Sequence, residues 1–147
     1  MKVIIGSDHA GFEVKQALTK ELGGRGIEVL DAGCFSTDSV DYPDIAFEAA
    51  KAVAEGRCDR GILVCGTGIG MSICANKVDG VRCALCGDTL TAKLTRQHND
   101  SNMLALGARI TGIELIKAIV DTWLGTEFLG GRHERRIAKI SEYENHR

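Results

Sequence analysis

The stretch Gly61-Ile62-Leu63-Val64-Cys65-Gly66-Thr67-Gly68-Ile69-Gly70 decides the fold. Its first half is a short apolar run rich in β-branched residues, the pattern of a strand buried on both faces of a parallel sheet. It then breaks into three glycines at alternate positions, and Met71 to Lys77 reads as the first turns of a helix. A strand that passes through glycines into a helix gathers free backbone N–H groups and the positive end of the helix dipole at one point. Small residues there let an anion approach the backbone. Cys65 places a thiol at the strand's end and Thr67 a hydroxyl inside the loop, so the stretch reads as an anion-stabilising cradle beside a reactive group. A helix N-terminus favours a thiolate, which makes Cys65 a candidate nucleophile or proton-abstracting base.

On either side of this stretch, strands and helices alternate. Lys2–Gly6 reads as the first strand, and Ser7–Gly11 as a polar turn. A helix with Val14, Leu18 and Leu22 on one face follows, ended by Gly23-Gly24. Ile27–Asp31 is a second strand, 33–42 a polar loop, and Pro43 suits the first turn of a helix through Glu55. After the third strand and the cradle come a fourth strand over Val81–Cys86 and a helix capped by Asp88 that runs to about His98. A fifth strand covers Met103–Leu106. Thr111-Gly112-Ile113-Glu114 has capping-box spacing and opens a helix through Trp123; Gly130-Gly131 precedes a final charged helix from Arg132. The alternation predicts an α/β fold: one domain over 1–147, a three-layer sandwich with a Rossmann-like five-stranded parallel sheet and helices on both faces. Sites in such sheets lie at the carboxyl ends of the strands, near the point where strand order reverses. Asp8-His9, Cys65–Gly70 and Arg109 fall on that edge. His98 and Asn99, just before the fifth strand, fall on the opposite one unless the preceding helix or its loop folds over, so simple topology does not place them.

Bulk properties narrow the function. A net charge of −2 offers no basis for a nucleic-acid or membrane partner, and 147 residues can bury a core without disulfides. Most of the six cysteines lie in or beside apolar segments, as free thiols do in a reducing compartment, and Met1–Asp8 turns polar too early for a signal peptide, so a cytoplasmic protein is expected. The cradle is not a dinucleotide fingerprint: Met71 stands where the third glycine belongs, and the motif follows the third strand. No Gly-Lys-Ser/Thr follows to make a P-loop. Cys83 and Cys86 on one strand face opposite sides and cannot share a metal, and the four histidines show no ligand spacing, so no metal is expected. Arg132 and Arg136 lie four apart on one helical face, an arrangement that suits a phosphate, although on spacing alone a solvated charged face is the commoner outcome. His98-Asn99-Asp100 alone reads as a helix end and loop.

Taken together, Gly6–Gly11, Asp41-Tyr42-Pro43-Asp44, Cys65–Ile73, Ala75-Asn76-Lys77, Arg96–Asp100 and Gly130–His133 resemble the family of type B ribose-5-phosphate isomerases and galactose-6-phosphate isomerase subunits, in family order along the whole chain. The resemblance implies a phosphosugar substrate, an aldose–ketose isomerisation through a cis-enediolate, and no cofactor. It implies Cys65 as the base, and Gly66, Thr67, Gly68, Ile69 and Gly70 as the enediolate cradle. It implies His98 as the ring-opening acid with Asp8 nearby, and Asn99 and Tyr42 on the sugar. It places His9, Arg109, Arg132 and Arg136 on the phosphate and the substrate's far end. It further implies a homodimer or dimer of dimers with shared sites, the C-terminal helix (about 132–143) packing on a partner subunit. Galactose-6-phosphate isomerases divide these residues between two different chains. Here Cys65, His98 and the arginine pair occur together, which favours a self-sufficient homo-oligomer. Ribose 5-phosphate and ribulose 5-phosphate are the expected pair. A hexose 6-phosphate such as allose 6-phosphate, or a non-catalytic phosphosugar-binding role, are the alternatives.

Overall fold

The computed structural model describes residues 1–147. Five parallel strands, β1 (Lys2–Ser7), β2 (Glu28–Asp31), β3 (Arg60–Cys65), β4 (Cys83–Leu85) and β5 (Met103–Gly107), form one sheet in the order β2-β1-β3-β5-β4. Six helices surround it: α1 (Phe12–Gly24), α2 (Tyr42–Ala54), α3 (Ile69–Ala75), α4 (Thr89–Asn99), α5 (Ile113–Gly125) and α6 (Arg132–Asn145). The period-2 alternation of strand side chains sorts the core into two halves. Val3, Ile5, Ile62, Val64, Leu104 and Leu106 meet Leu18 and Leu22 of α1, Ala92 of α4, and Ile116, Ile119, Val120 and Trp123 of α5. Ile4, Leu63, Cys65 and Met103 turn the other way, onto the small residues of α2 and onto Met71 and Ala75 of α3. Cys83 and Cys86 fall in different halves, as their spacing requires.

From β1 the chain steps outward to β2 through α1, then back across β1 to β3 through α2 on the opposite face. The crossovers therefore reverse between β1 and β3, and the carboxyl ends of these two strands open a crevice. Pro43 lies in the first turn of α2, and Asp88 accepts a hydrogen bond from Thr91 N at 2.7 Å as the cap of α4.

Two expectations are corrected. The fourth strand is three residues long, not the whole of 81–86, because the Arg82 backbone turns to donate to Asn102 Oδ1 (2.8 Å). Asn76 takes the outer edge of Cys83, accepting from its N–H at 2.8 Å and donating to its C=O at 2.9 Å, as a neighbouring strand would. The capping box does not form either. Gly112 is the N-cap of α5, with no side-chain cap, and Thr111 is buried with its N–H bonded to Gly107 O at 2.9 Å.

Candidate active site

Three strand ends build the cradle. β1 ends in Ser7-Asp8, and Asp8 Oδ1 accepts from Ala10 N (2.9 Å) and Gly11 N (3.1 Å), closing a single 3-10 turn over His9–Gly11. This turn lies so close to β3 that a Cβ on Gly11 would sit 2.4 Å from Val64 O. β3 ends in Cys65, whose Sγ accepts a hydrogen bond from Gly68 N at 3.1 Å. That bond needs the loop to double back, which Gly68 allows at φ +80°. Thr67 Oγ1 accepts from Ile69 N at 3.2 Å, and the first N–H groups of α3 have no partner within the helix. Tyr42, the first residue of α2, lays its ring against Gly70, where a Cβ would meet it at 2.7 Å. Beyond β5, Arg109 N donates to Gly66 O at 2.9 Å and its side chain reaches back over Gly66.

Asp8, Tyr42, Cys65, Gly66, Thr67, Ile69, Gly70 and Arg109 thus line one concavity of about 460 Å³, together with Ile73, which the sequence did not single out. Within it a thiol, a carboxylate, a hydroxyl and a guanidinium surround a backbone turn rich in N–H donors. Such a set can take a proton from carbon and hold the oxyanion that results. His9 does not line this concavity; its Nδ1 accepts from Val40 N at 3.3 Å and ties down the loop before α2. Outside the cradle, burial pushes the Cys83 thiol up to about 12 and raises Cys86 as well, so both are core groups rather than reactive ones. No group of three or more His, Cys, Asp or Glu side chains comes together where it could hold a metal ion.

The remaining candidates gather at the other edge of the sheet. His98 and Asn99 end α4, and β5 separates them from the cradle. Cys65 pairs with Gly107 at the far end of that five-residue strand. Four steps along a strand are about 13 Å. In one chain His98 therefore cannot act on an atom held at Cys65. The α4 terminus is rigidly made. Asp100 is its left-handed cap, and buried Arg96 donates to Asp100 Oδ1 (2.8 Å) and Ser101 O (2.6 Å). Arg82 donates to Asn99 O (2.9 Å) and Asp100 O (2.9 Å). Helix α6 crosses here and stacks His133 on His98, ring centroids 4.4 Å apart and 13° from parallel. Arg132 and Arg136 flank His133, both exposed. Burial, then His98 and the two arginines, holds the His133 imidazole below the usual histidine range.

The two half-sites are joined by a shallow strip along edge strand β4. Thr67 and Ile69 border a hollow that continues past Leu85 and Cys86, and Leu85 and Cys86 also border the next hollow, which reaches His98 and Asn99. Ile69, Ile73, Leu85, Leu90 and Ile110 are all exposed on or near it. His133 belongs to the matching stretch Gly130–His133, but nothing in the sequence assigned it a role of its own within a charged run.

No helix of the chain is long and apolar enough to cross a membrane. Ribose-5-phosphate isomerase B of Escherichia coli (strain K12) is 49% identical over 146 residues, covering 99% of this chain and 98% of its own. The solved Clostridium thermocellum ribose-5-phosphate isomerase B matches with a TM-score of 0.98 at 52% identity, over 99% of both chains. The ribose-5-phosphate isomerase B of Mycoplasma genitalium, solved with bound ribulose 5-phosphate, matches with a TM-score of 0.97 at 42% identity, over 99% of this chain and 97% of its own. The family model for ribose/galactose isomerases matches residues 3–140, and the chain belongs to that family.

Proposed function

We propose that the protein is an aldose–ketose isomerase that interconverts ribose 5-phosphate and ribulose 5-phosphate through a cis-enediolate. One observation carries the mechanism: Cys65 Sγ, held by Gly68 N–H at 3.1 Å, shares a single concavity with Asp8, Thr67 and Arg109. In the open-chain aldose the Cys65 thiolate takes the proton from C2. The electron pair becomes the C1–C2 double bond and O1 becomes the oxyanion. Backbone N–H groups of Gly66–Gly70, with the Thr67 hydroxyl, stabilise it, each well-placed donor contributing about 3–4 kcal/mol. The proton returns to C1 on the same face, and the proton on O2 passes to O1, leaving the ketose.

The aldose must first open. His98 gives its proton to the ring oxygen as the C1–O4 bond breaks, and Asp8 takes the proton of the anomeric hydroxyl. β5, about 13 Å over its four steps, and the edge strand β4 stand between the end of α4 and the end of β3, so this step is assigned to a partner's residue in a homodimer. A two-fold axis across the β4 strip sets each cradle against the other chain's His98, because an isologous interface pairs one end of a strip with the opposite end of its copy. The exposed Ile69, Leu85, Leu90 and Ile110 supply the apolar surface for such an interface. Arg132 and Arg136 from that partner then take the phosphate, with His9 and Arg109 at the substrate's far end, and Asn99 and Tyr42 hold sugar hydroxyls. A cytoplasmic enzyme of sugar-phosphate metabolism fits this chemistry.

The test is conversion of ribose 5-phosphate by the purified protein with a chelator present, Cys65→Ala run alongside. Turnover that persists with chelator and collapses in the variant, while phosphosugar binding survives, is the expected result. A well-folded wild type that converts hexose 6-phosphates but not the pentose would move the substrate. Binding without any conversion would remove the enzymatic reading.

A further inference from the structure

We propose that His133 is a positioning residue for the isomerisation: stacked on His98, its ring holds the His98 imidazole in the orientation from which it protonates the sugar's ring oxygen. The inference rests on the reading of His98 as the ring-opening acid and extends it to a residue on a different helix.

Helix α6 is a charged, surface helix, and His133 is its single buried residue. A buried histidine in such a helix needs a reason, and the contact it makes is with His98. The rings lie 13° from parallel at 4.4 Å, closer than the usual range for aromatic pairs. The backbone on either side of His98 is fixed by other means. Gln97 O accepts from Leu129 N at 3.2 Å, and Asn99 O accepts from Arg82 Nε at 2.9 Å. What remains to be set is the ring itself, and the stack sets it.

The charges around the pair suit the assignment. Arg132 and Arg136 flank His133 on α6, and His98 faces it from α4. Burial first, then these three, disfavours a proton on His133 and keeps its ring neutral beside the acid. Two charged imidazoles at this distance would repel. A neutral partner ring orients the acid without competing for its proton.

Helix α6 has other anchors. The Glu144 carboxylate accepts from Gly80 N at 3.1 and 3.2 Å, Arg147 pairs with Asp79, and Leu129 holds the preceding loop to α4. Truncating His133 therefore leaves the helix, with its arginine pair, docked.

The test separates ring opening from proton transfer at carbon. Ribulose 5-phosphate cannot close a five-membered ring, because its C5 hydroxyl is esterified. Exchange of its C1 proton with D₂O needs Cys65 and the cradle but no ring step. For His133→Ala the kcat for ribose 5-phosphate should fall roughly 10- to 100-fold, as for a misplaced catalytic group. KM should change less than about threefold, and C1 exchange of ribulose 5-phosphate, read by NMR, should stay near wild type. His133→Phe keeps a flat ring and should restore most of the lost turnover. Equal loss of conversion and exchange in His133→Ala would make the residue merely structural and overturn the proposal. So would full conversion in His133→Ala while His98→Asn is inactive, or no rescue by phenylalanine. If His98→Asn itself converts ribose 5-phosphate at the wild-type rate, the reading of His98 fails, and the role of His133 with it.

Discussion

Gly107 is the residue through which the sheet presses on the cradle. It ends β5, pairs in register with Cys65, and a Cβ there would lie 2.7 Å from Thr67 O and 2.8 Å from Thr67 C. Its φ is outside the left-handed region, so a Gly107→Ala variant meets no backbone penalty and the effect is steric. Ordinary contact begins near 3.4 Å, so Thr67 or the strand must retreat by about 0.7 Å. β5 is held between β3 and β4, and the loop is the softer partner, so Thr67 moves. Overpacking of this kind costs about 1–3 kcal/mol, or roughly 3–10 °C in Tm for a chain of this size. A displacement of 1 Å in a catalytic constellation costs about a hundredfold. On that scale a shift of about 0.7 Å predicts a loss of at least roughly tenfold in kcat for ribose 5-phosphate. Gly23→Ala is the control: its Cβ meets nothing within 4 Å, and in the last turn of α1 it should leave both Tm and activity at or slightly above wild type. Melting curves and initial rates on the two variants decide the matter. A Gly107→Ala protein with wild-type Tm and kcat would refute the claim that β5 fixes the position of Thr67.

Three further outcomes are expected. Lys15 is fully buried, with Nζ 2.6 Å from both oxygens of Asp31 and 2.5 Å from Cys34 O; Lys15→Met leaves the carboxylate with its bond from Gly33 N (2.8 Å) but without the ammonium, strips the carbonyl of this donor, and should cost about 2–3 kcal/mol in urea unfolding. An unchanged midpoint would show that the pair contributes nothing net. The Cys83 thiol ionises near 12 in the folded chain and near 9.0 when unfolded, so the unfolded state alone loses its proton between those values and stability falls as pH rises from 9. The slope from this one group is on the order of 1 kcal/mol per pH unit, and Cys83→Ala should flatten it in alkaline unfolding curves. Leu85→Glu puts a charge in the middle of the exposed β4 strip; light scattering should report a smaller species, and turnover should fall with it. A monomer with full activity would contradict the shared site.

What could be read from the sequence follows from how locally each feature is determined. Ile62-Leu63-Val64 and Leu104-Ala105-Leu106 are continuous apolar runs, and a run buried on both faces announces a central parallel strand without reference to anything distant. The cradle is equally local, since Cys65, Thr67 and three glycines lie within six residues. Lys15 is the opposite case. The helical pattern correctly picks out Leu18 and Leu22, but nothing in it shows that a lysine is buried on the same side, because its partners Asp31 and Cys34 lie 16 and 19 residues away. The capping box at Thr111 failed for a local reason: its N–H bonds to Gly107 O, four residues back, in the turn that leaves β5, and the glycine after it took the cap. His133 stands in a run of charges that reads as solvent-facing, and only the approach of α6 to the end of α4 gives it a ring to pack on.

The split of the candidate site between two edges of the sheet is itself a consequence of the parallel topology. Every strand of such a sheet ends on the same edge, and every helix that leads into a strand ends on the other. A residue at the C-terminus of α4 and a residue at the C-terminus of β3 are therefore kept apart by the length of β5, whatever their side chains. Strand and helix order alone leaves His98 free to fold over toward Cys65, and the structure instead keeps it in the last turn of α4, with Cys65 at the end of β3. Chemistry that needs both groups on one sugar then requires a second chain, which the proposed two-fold axis sets antiparallel along an exposed edge. In that proposal the edge is β4, where Asn76 satisfies the Cys83 N–H and C=O rather than leaving them open to another strand. With the backbone of Cys83 closed to strand pairing, association along this face must come from side chains, and the exposed leucines and isoleucines beside it are what the chain offers. Asn76→Ala would reopen the Cys83 N–H and C=O. If side-chain packing defines the interface, that variant keeps its oligomeric state by light scattering and loses only stability, about 1 kcal/mol per hydrogen bond removed. A change in oligomer size would place the backbone edge inside the interface and overturn this account of it.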